Sequence, residues 1–240
     1  MQAAPLFPDT RLVEIHRRLL AFYGQPPERV VWDPLKQFIY SLLSSRTKTE
    51  VTYQVVQHLQ TRFGTWEALR DAPVPEIEEA IRAITFPERK AVQLKQALEQ
   101  ITQRCGTLSL DFLSSYRTEK IRAWLEQFDG VGAKTSGAVV NFSSLRRRAM
   151  CVDSHHLRVT QRLGFVPKSA DAHETERRLM EMAPTEWSPM MLDEHHVLIK
   201  THGQRLCTHS QPRCAGCPLL DMCPTGASGT SSARRGKEAR

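Results

Sequence analysis

No apolar run in the sequence approaches the roughly 18 residues that a membrane-spanning helix needs, so no membrane partner is expected. No signal-peptide pattern opens the chain, and a cytoplasmic location is the expectation. Alternating polar and apolar runs are missing, as is any long-period repeat, which leaves little ground for a sheet. Cysteine is also scarce: there are 6, of which Cys105 and Cys151 stand alone. The other four, Cys207, Cys214, Cys217 and Cys223, crowd into one short stretch. A secreted disulfide protein would spread its cysteines along the chain, so this clustering points to a metal site.

What is present fits one or two compact domains: 240 residues, 40% hydrophobic and 25% charged. The formal net charge of +7 favours a polyanionic partner, but its placement dilutes the inference. Arg234, Arg235, Lys237 and Arg240 against Glu238 make the last seven residues +3, leaving +4 for the rest. Residues 224–240 are rich in Ser, Gly, Thr and Arg, and a disordered basic tail is expected there.

The periodicity is helical. Leu35, Phe38, Ile39, Leu42 and Leu43 form an apolar stripe, preceded by Asp33-Pro34 as N-cap and first helical position. Ile121, Trp124, Leu125 and Phe128 repeat the spacing, as do Ala91, Leu94, Leu98 and Ile101 after Pro87. Asp171 with Glu174 reads as a capping box, and Ser188-Pro189 as another helix start. The fold class expected is all-α.

Two segments carry the chemistry. In Phe128-Asp129-Gly130-Val131-Gly132-Ala133-Lys134-Thr135 a helix ends near Phe128 and another opens around Ala133. The glycines permit a tight turn, and the N–H groups of the new helix can hold a phosphate. Taken alone, an ordinary αα-hairpin with a solvated lysine explains it equally well. Val152-Asp153-Ser154-His155 then opens a further apolar-periodic helix, where Asp153 suits an N-cap. Cys207-x6-Cys214-x2-Cys217-x5-Cys223 can surround zinc or an iron–sulfur cluster, and the thiolates alone do not choose between them.

Gly130-Val131-Gly132-Ala133-Lys134-Thr135 followed by Val152-Asp153-Ser154-His155 resembles the helix-hairpin-helix, Gly/Pro-Asp superfamily of DNA glycosylases, in its endonuclease III branch. The resemblance covers roughly residues 30–223. It implies a six-helix barrel over 28–147 and a cluster domain from 1–27 with 148–223, flanking a DNA-binding groove. It makes Lys134 the nucleophile and Asp153 its catalytic partner. The cysteine spacing matches the family's C-terminal [4Fe-4S] loop, which favours that cluster over zinc; His195, His196 and His202 are then packing residues. A carboxylate can stabilise the positive charge that builds on the sugar as the glycosidic bond breaks. An amine attacking the same carbon gives a Schiff base and strand cleavage by β-elimination, provided it is unprotonated. Lysine ordinarily titrates near ~10.4, so desolvation and the positive helix end are needed to lower that value.

The implied partner is double-stranded DNA containing damaged bases or abasic sites, bound by a nucleoid-associated monomer. Gly130, Val131 and Gly132 would hold its backbone, with Ser45, His155 and Arg147 nearby. Arg46, in Leu43-Ser44-Ser45-Arg46-Thr47, would fill the gap left by an extruded base. Arg205 and Arg213 would lie on the cluster loop facing DNA. The chain departs from the family pattern in three places: Asp129 where proline is usual, Phe86-Pro87 before Lys90-Ala91 where a glycine and an aromatic are usual, and Arg46 for glutamine. The expected function is excision of oxidised pyrimidines with AP-lyase activity. The alternatives are a glycosylase for mismatched, deaminated or methylated bases, and a catalytically silent iron–sulfur DNA-binding protein.

Overall fold

The computed structural model describes residues 10–226. Among these residues the secondary structure is helical, with eleven α-helices, three short 3-10 turns and one isolated bridge between Trp32 and Ser143. None of the helices is long and apolar enough to cross a membrane. The chain divides into two compact units, Val30–Arg147 (the hairpin unit) and Met1–Arg29 with Arg148–Arg240 (the cysteine unit).

The hairpin unit holds α2 (Pro34–Leu43), α3 (Thr49–Phe63), α4 (Trp66–Asp71), α5 (Val74–Ala80), α6 (Pro87–Cys105), α7 (Thr118–Leu125) and α8 (Ala133–Phe142). The Asp33 carboxylate caps α2, accepting the Lys36 amide at 2.9 Å, with Pro34 at the first position. That helix is buried on nearly all sides and packs against α8, α3 and α6. Phe38, Ile39, Leu59, Leu94, Leu98 and Leu125 are fully buried, each contributing ~1.5–3 kcal/mol. Helix α7 stops at Leu125, three residues short of the expected end. Phe128 stays in the core from the following turn, edge-on to Phe38 and Trp124 with ring centres 5.7 and 5.0 Å away.

The cysteine unit holds α1 (Arg11–Tyr23), α9 (Ser154–Arg162), α10 (Ala172–Met182) and α11 (Pro189–Arg205). Asp171 and Ser188 cap α10 and α11 through the amides of Glu174 and Met191. Helix α11 packs against both α1 and α9. Gly203 allows α11 to lie close against α9, because a Cβ there would lie 2.8 Å from the His155 Cβ. Leu12, Ile15, Leu19, Val159, Leu163, Leu198 and Ile199 share one core. The first residues of the expected disordered tail, 224–226, are packed instead. The Thr225 hydroxyl donates to the Arg162 carbonyl at 2.9 Å and Gly226 is buried, so the chain is still packed there. The remainder of that tail, 227–240, lies outside the described residues.

Candidate functional site

The hairpin is built by α7 and α8. Gly130 adopts φ +79, and a Cβ on it would meet the Gln93 side chain at 2.8 Å. Gln93 also donates its amide to Asp129 at 2.9 Å. The unusual aspartate, itself exposed, is therefore tethered to α6 by this bond. Val131 is buried, Gly132 precedes α8 in extended conformation, and α8 has no side-chain cap. Ser136, wholly buried, donates to the Glu126 carboxylate at 2.5 Å and accepts from Arg122 at 3.2 Å, pinning α7 to α8.

Lys134 is the second residue of α8 and only partly exposed. Its amine lies against the last turn of α2, donating to the Ser41 carbonyl at 3.1 Å and to the Ser44 hydroxyl. A second lysine, which the motif did not single out, grips the same turn. Lys90 of α6 is 5% exposed, and its amine donates to the Leu43 carbonyl at 2.7 Å, the Ser45 carbonyl at 2.6 Å and the Thr47 hydroxyl at 3.4 Å. Burial, and then the positive charge of Lys134, push its pKa down to about 8. Its signal in the sequence is its place on the apolar face of α6, in register with Leu94, Ala97 and Ile101.

Arg46 and Phe86 both hold left-handed backbone conformations, with φ 55 and 60, at a cost of roughly 1–2 kcal/mol each. Both are exposed, the guanidinium 5.9 Å from the ring centre, and the Thr85 hydroxyl donates to the Arg46 carbonyl at 2.9 Å. The loop before Pro87 is thereby tied to the loop that bears Ser45 and Arg46. The arginines of the run Arg146-Arg147-Arg148 have different partners. Arg147 is exposed and donates to the Ser114 carbonyl at 2.8 Å. Arg148 belongs to the cysteine unit, where it donates to the carbonyls of Pro184 at 3.1 Å and Trp187 at 2.5 Å.

In the cysteine unit, Asp153 caps α9 by accepting the His156 amide at 2.8 Å. Burial alone would raise its pKa. The His196 and His156 rings, the His156 amide and the Lys200 ammonium outweigh that and hold the carboxyl below its ordinary range. His155, the second residue of α9, is half-buried against Gly203, its ring nitrogen 3.2 Å from Arg158. Further along α9, Arg158 donates to the Gly203 and Cys207 carbonyls at 2.7 and 3.0 Å. Arg162 donates to the Cys207 sulfur at 3.2 Å and the Thr208 carbonyl at 2.6 Å. One rigid helix thus carries the aspartate at its start and fixes the cysteine segment at its end.

Cys207, Cys214, Cys217 and Cys223 line a single pocket with Arg162, His202, Leu206 and Leu219. The Cys217 thiol is pushed up first by burial and further by the other three cysteines, so the four sulfurs feel one another. N–H groups point at them: Leu219 donates to Cys217 at 3.4 Å, beside the Arg162 bond to Cys207. Among the described residues no three such ligands are gathered tightly enough to hold one metal ion. Arg205 and Arg213 are exposed on either side of Cys207.

Residues 39–185 match the family model described as HhH-GPD superfamily base excision DNA repair protein. The chain is 28% identical over 216 residues to the DNA glycosylase/AP lyase ROS1 of Arabidopsis thaliana, covering 85% of this chain and 15% of that much longer protein. It is 29% identical over 200 residues to Endonuclease III of Bacillus subtilis (strain 168), covering 83% of this chain and 84% of that one. A solved structure of a trapped endonuclease III–DNA covalent intermediate shares the fold, with a TM-score of 0.75 at 24% identity, covering 94% of this chain and 100% of that chain.

Proposed function

Because the chain belongs to the HhH-GPD superfamily of base excision DNA repair proteins, we propose that it is a monomeric DNA glycosylase and AP lyase. It removes oxidised pyrimidines from double-stranded DNA and cleaves at the abasic site. The similarity to endonuclease III along most of both chains supports this substrate class. Lys134 is the nucleophile: its amine attacks the anomeric carbon as the bond to the base breaks, and the resulting Schiff base allows β-elimination of the 3′ phosphate. Asp153, with its carboxyl held ionised, stabilises the positive charge developing on the sugar. Gly130, Val131 and Gly132 present the uncapped start of α8 to the DNA backbone, which binds without reading sequence. Arg46, strained and exposed, fills the space of the extruded base.

The observation that carries the reading is the Lys134 amine, part-buried at a helix start and seated on the end of α2. Borohydride is expected to trap the protein covalently on abasic or damaged duplex, and Lys134→Ala to abolish trapping. Trapping that persists in the variant removes Lys134 from its role. A panel of duplexes bearing oxidised, mismatched, deaminated or methylated bases, scored for base release and nicking, assigns the lesion. Release and trapping both absent across the panel would mark a silent DNA-binding protein.

The four cysteines fit a [4Fe-4S] cluster: they share one pocket, they interact electrostatically, and N–H donors face their sulfurs. When bound, the cluster supplies a rigid knot that holds the loop of Arg205 and Arg213. Purified protein is expected to carry about four irons per chain. One zinc in their place would overturn the assignment.

A further inference from the structure

His202 lies in the last turn of α11, just ahead of the cysteine segment. It is 2% exposed and lines the pocket that the four cysteines share. Its carbonyl accepts the amides of Leu206 and Cys207 at 3.0 and 2.8 Å, which fixes the residue where the helix ends. Its ring nitrogens face two different groups. Nδ1 lies 3.1 Å from the Tyr23 hydroxyl, and Nε2 lies 3.7 Å from Cys217 Sγ, within hydrogen-bond reach of the large sulfur atom. Tyr23 is the last residue of α1, part-buried, and its ring meets that of His202 edge-on with centres 6.1 Å apart. Tyr23, His202 and Cys217 thus form one chain of polar contacts that runs from α1 to a cysteine sulfur.

A cysteine that ligates iron does so as a thiolate, which accepts hydrogen bonds and has none to give. Nε2 must then carry the ring's N–H, because a lone pair aimed at the sulfur would be repelled. With its proton on Nε2 the ring offers a lone pair at Nδ1, and the Tyr23 hydroxyl has a proton to donate there. The two contacts select the same tautomer. We propose that Tyr23 and His202 form a hydrogen-bond relay that donates to the Cys217 thiolate and raises the reduction potential of the cluster it helps to hold. This rests on the reading of the four cysteines as [4Fe-4S] ligands. An added electron makes the cluster and its sulfurs more negative, so an N–H aimed at a ligand sulfur favours the reduced form. Burial of His202 strengthens the effect, because little water is there to screen it.

The test begins by counting iron and acid-labile sulfide in the purified full-length protein, and then reads the midpoint potential of the cluster by protein-film voltammetry. In His202→Leu the potential is expected to shift down. In His202→Gln, whose side-chain amide keeps an N–H near the Nε2 position, it is expected to stay close to the wild-type value. Tyr23→Phe removes the hydroxyl at a part-exposed site and leaves the tautomer unforced, so a smaller downward shift is expected. That variant also carries the test should His202→Leu fail to fold. Resonance Raman spectra in light and heavy water give a second readout. Part of the deuterium shift of the iron–thiolate stretches should disappear in His202→Leu and survive in His202→Gln. A full iron count with potentials and deuterium shifts that do not respond overturns the relay and leaves His202 a packing residue. Zinc in place of iron in the wild type, or no metal at all, overturns the cluster reading itself and the relay with it.

Discussion

In the hairpin unit the buried ionisable side chain is Lys90, whose amine finds three acceptors at the end of α2. The cysteine unit instead buries His16, His156, His195 and His196, whose rings contact one another at centre distances of 5.5 to 6.0 Å, with Trp187 against His16 and His195 at 5.0 and 5.3 Å. Cys151 accepts from the Nδ1 atoms of His156 and His196 at 3.2 and 2.7 Å, but the Nε2 atoms of His156 and His195 have no partner among the described residues. A proton added there would find no acceptor. Burial pushes His156 down to about 4 and His196 to about 3, with His195 well below its usual value. One unit is arranged to keep a charge, the other to exclude several. Burial lowers the proton affinity in both units, but Lys90 starts from a higher value and has acceptors for its N–H groups, so it stays charged at neutral pH where the histidines do not.

The largest expected effect on this comparison comes from acid. Between pH 6.5 and about 4 the unfolded chain takes up protons that the folded histidines refuse, so stability falls as pH falls. Glu194 beside His16, and Asp153 beside His156 and His196, oppose this, while Lys200 and Arg29 add to it. Hydrogen exchange read unit by unit should show the cysteine unit losing at least ~3 kcal/mol between pH 7 and pH 4. His196→Gln should flatten that slope, and an unchanged slope would break the contrast. Lys90 keeps its proton throughout this range and adds no such slope to the hairpin unit.

Next in size is Gly203→Ala, whose Cβ would sit 2.8 Å from the His155 Cβ. It should cost about 1–3 kcal/mol, confined to the cysteine unit and read as a lower denaturation midpoint there. Gly130→Ala should cost about 1–2 kcal/mol in the hairpin unit through its positive φ, since the Gln93 side chain that it meets can move aside. Its affinity for undamaged duplex should fall in the same titration. The smallest stability change is expected for Asp153→Asn, because asparagine caps a helix about as well and keeps an oxygen for the His156 amide. The midpoint should move by less than about 0.5 kcal/mol while base release drops by orders of magnitude. A parallel loss of both would make Asp153 a cap only.

Much of this protein was legible as sequence, because local patterns carry local physics. Asp33-Pro34, Asp171 and Ser188 mark helix starts through bonds spanning three residues, and each start is found in place. The Gly-Val-Gly-Ala-Lys hairpin, the cap at Asp153 and the cysteine spacing are equally local, and the superfamily they suggested is the one to which the chain belongs. Tertiary structure decided what depends on residues far apart in the chain. It set Lys90 beside Lys134 across 44 positions, gave Asp129 a partner in Gln93, and divided a three-arginine run between two units. A lysine or an aspartate reads the same in sequence whether water or a carbonyl from another helix meets it. Only packing supplies that neighbour, and with it the protonation on which the chemistry turns.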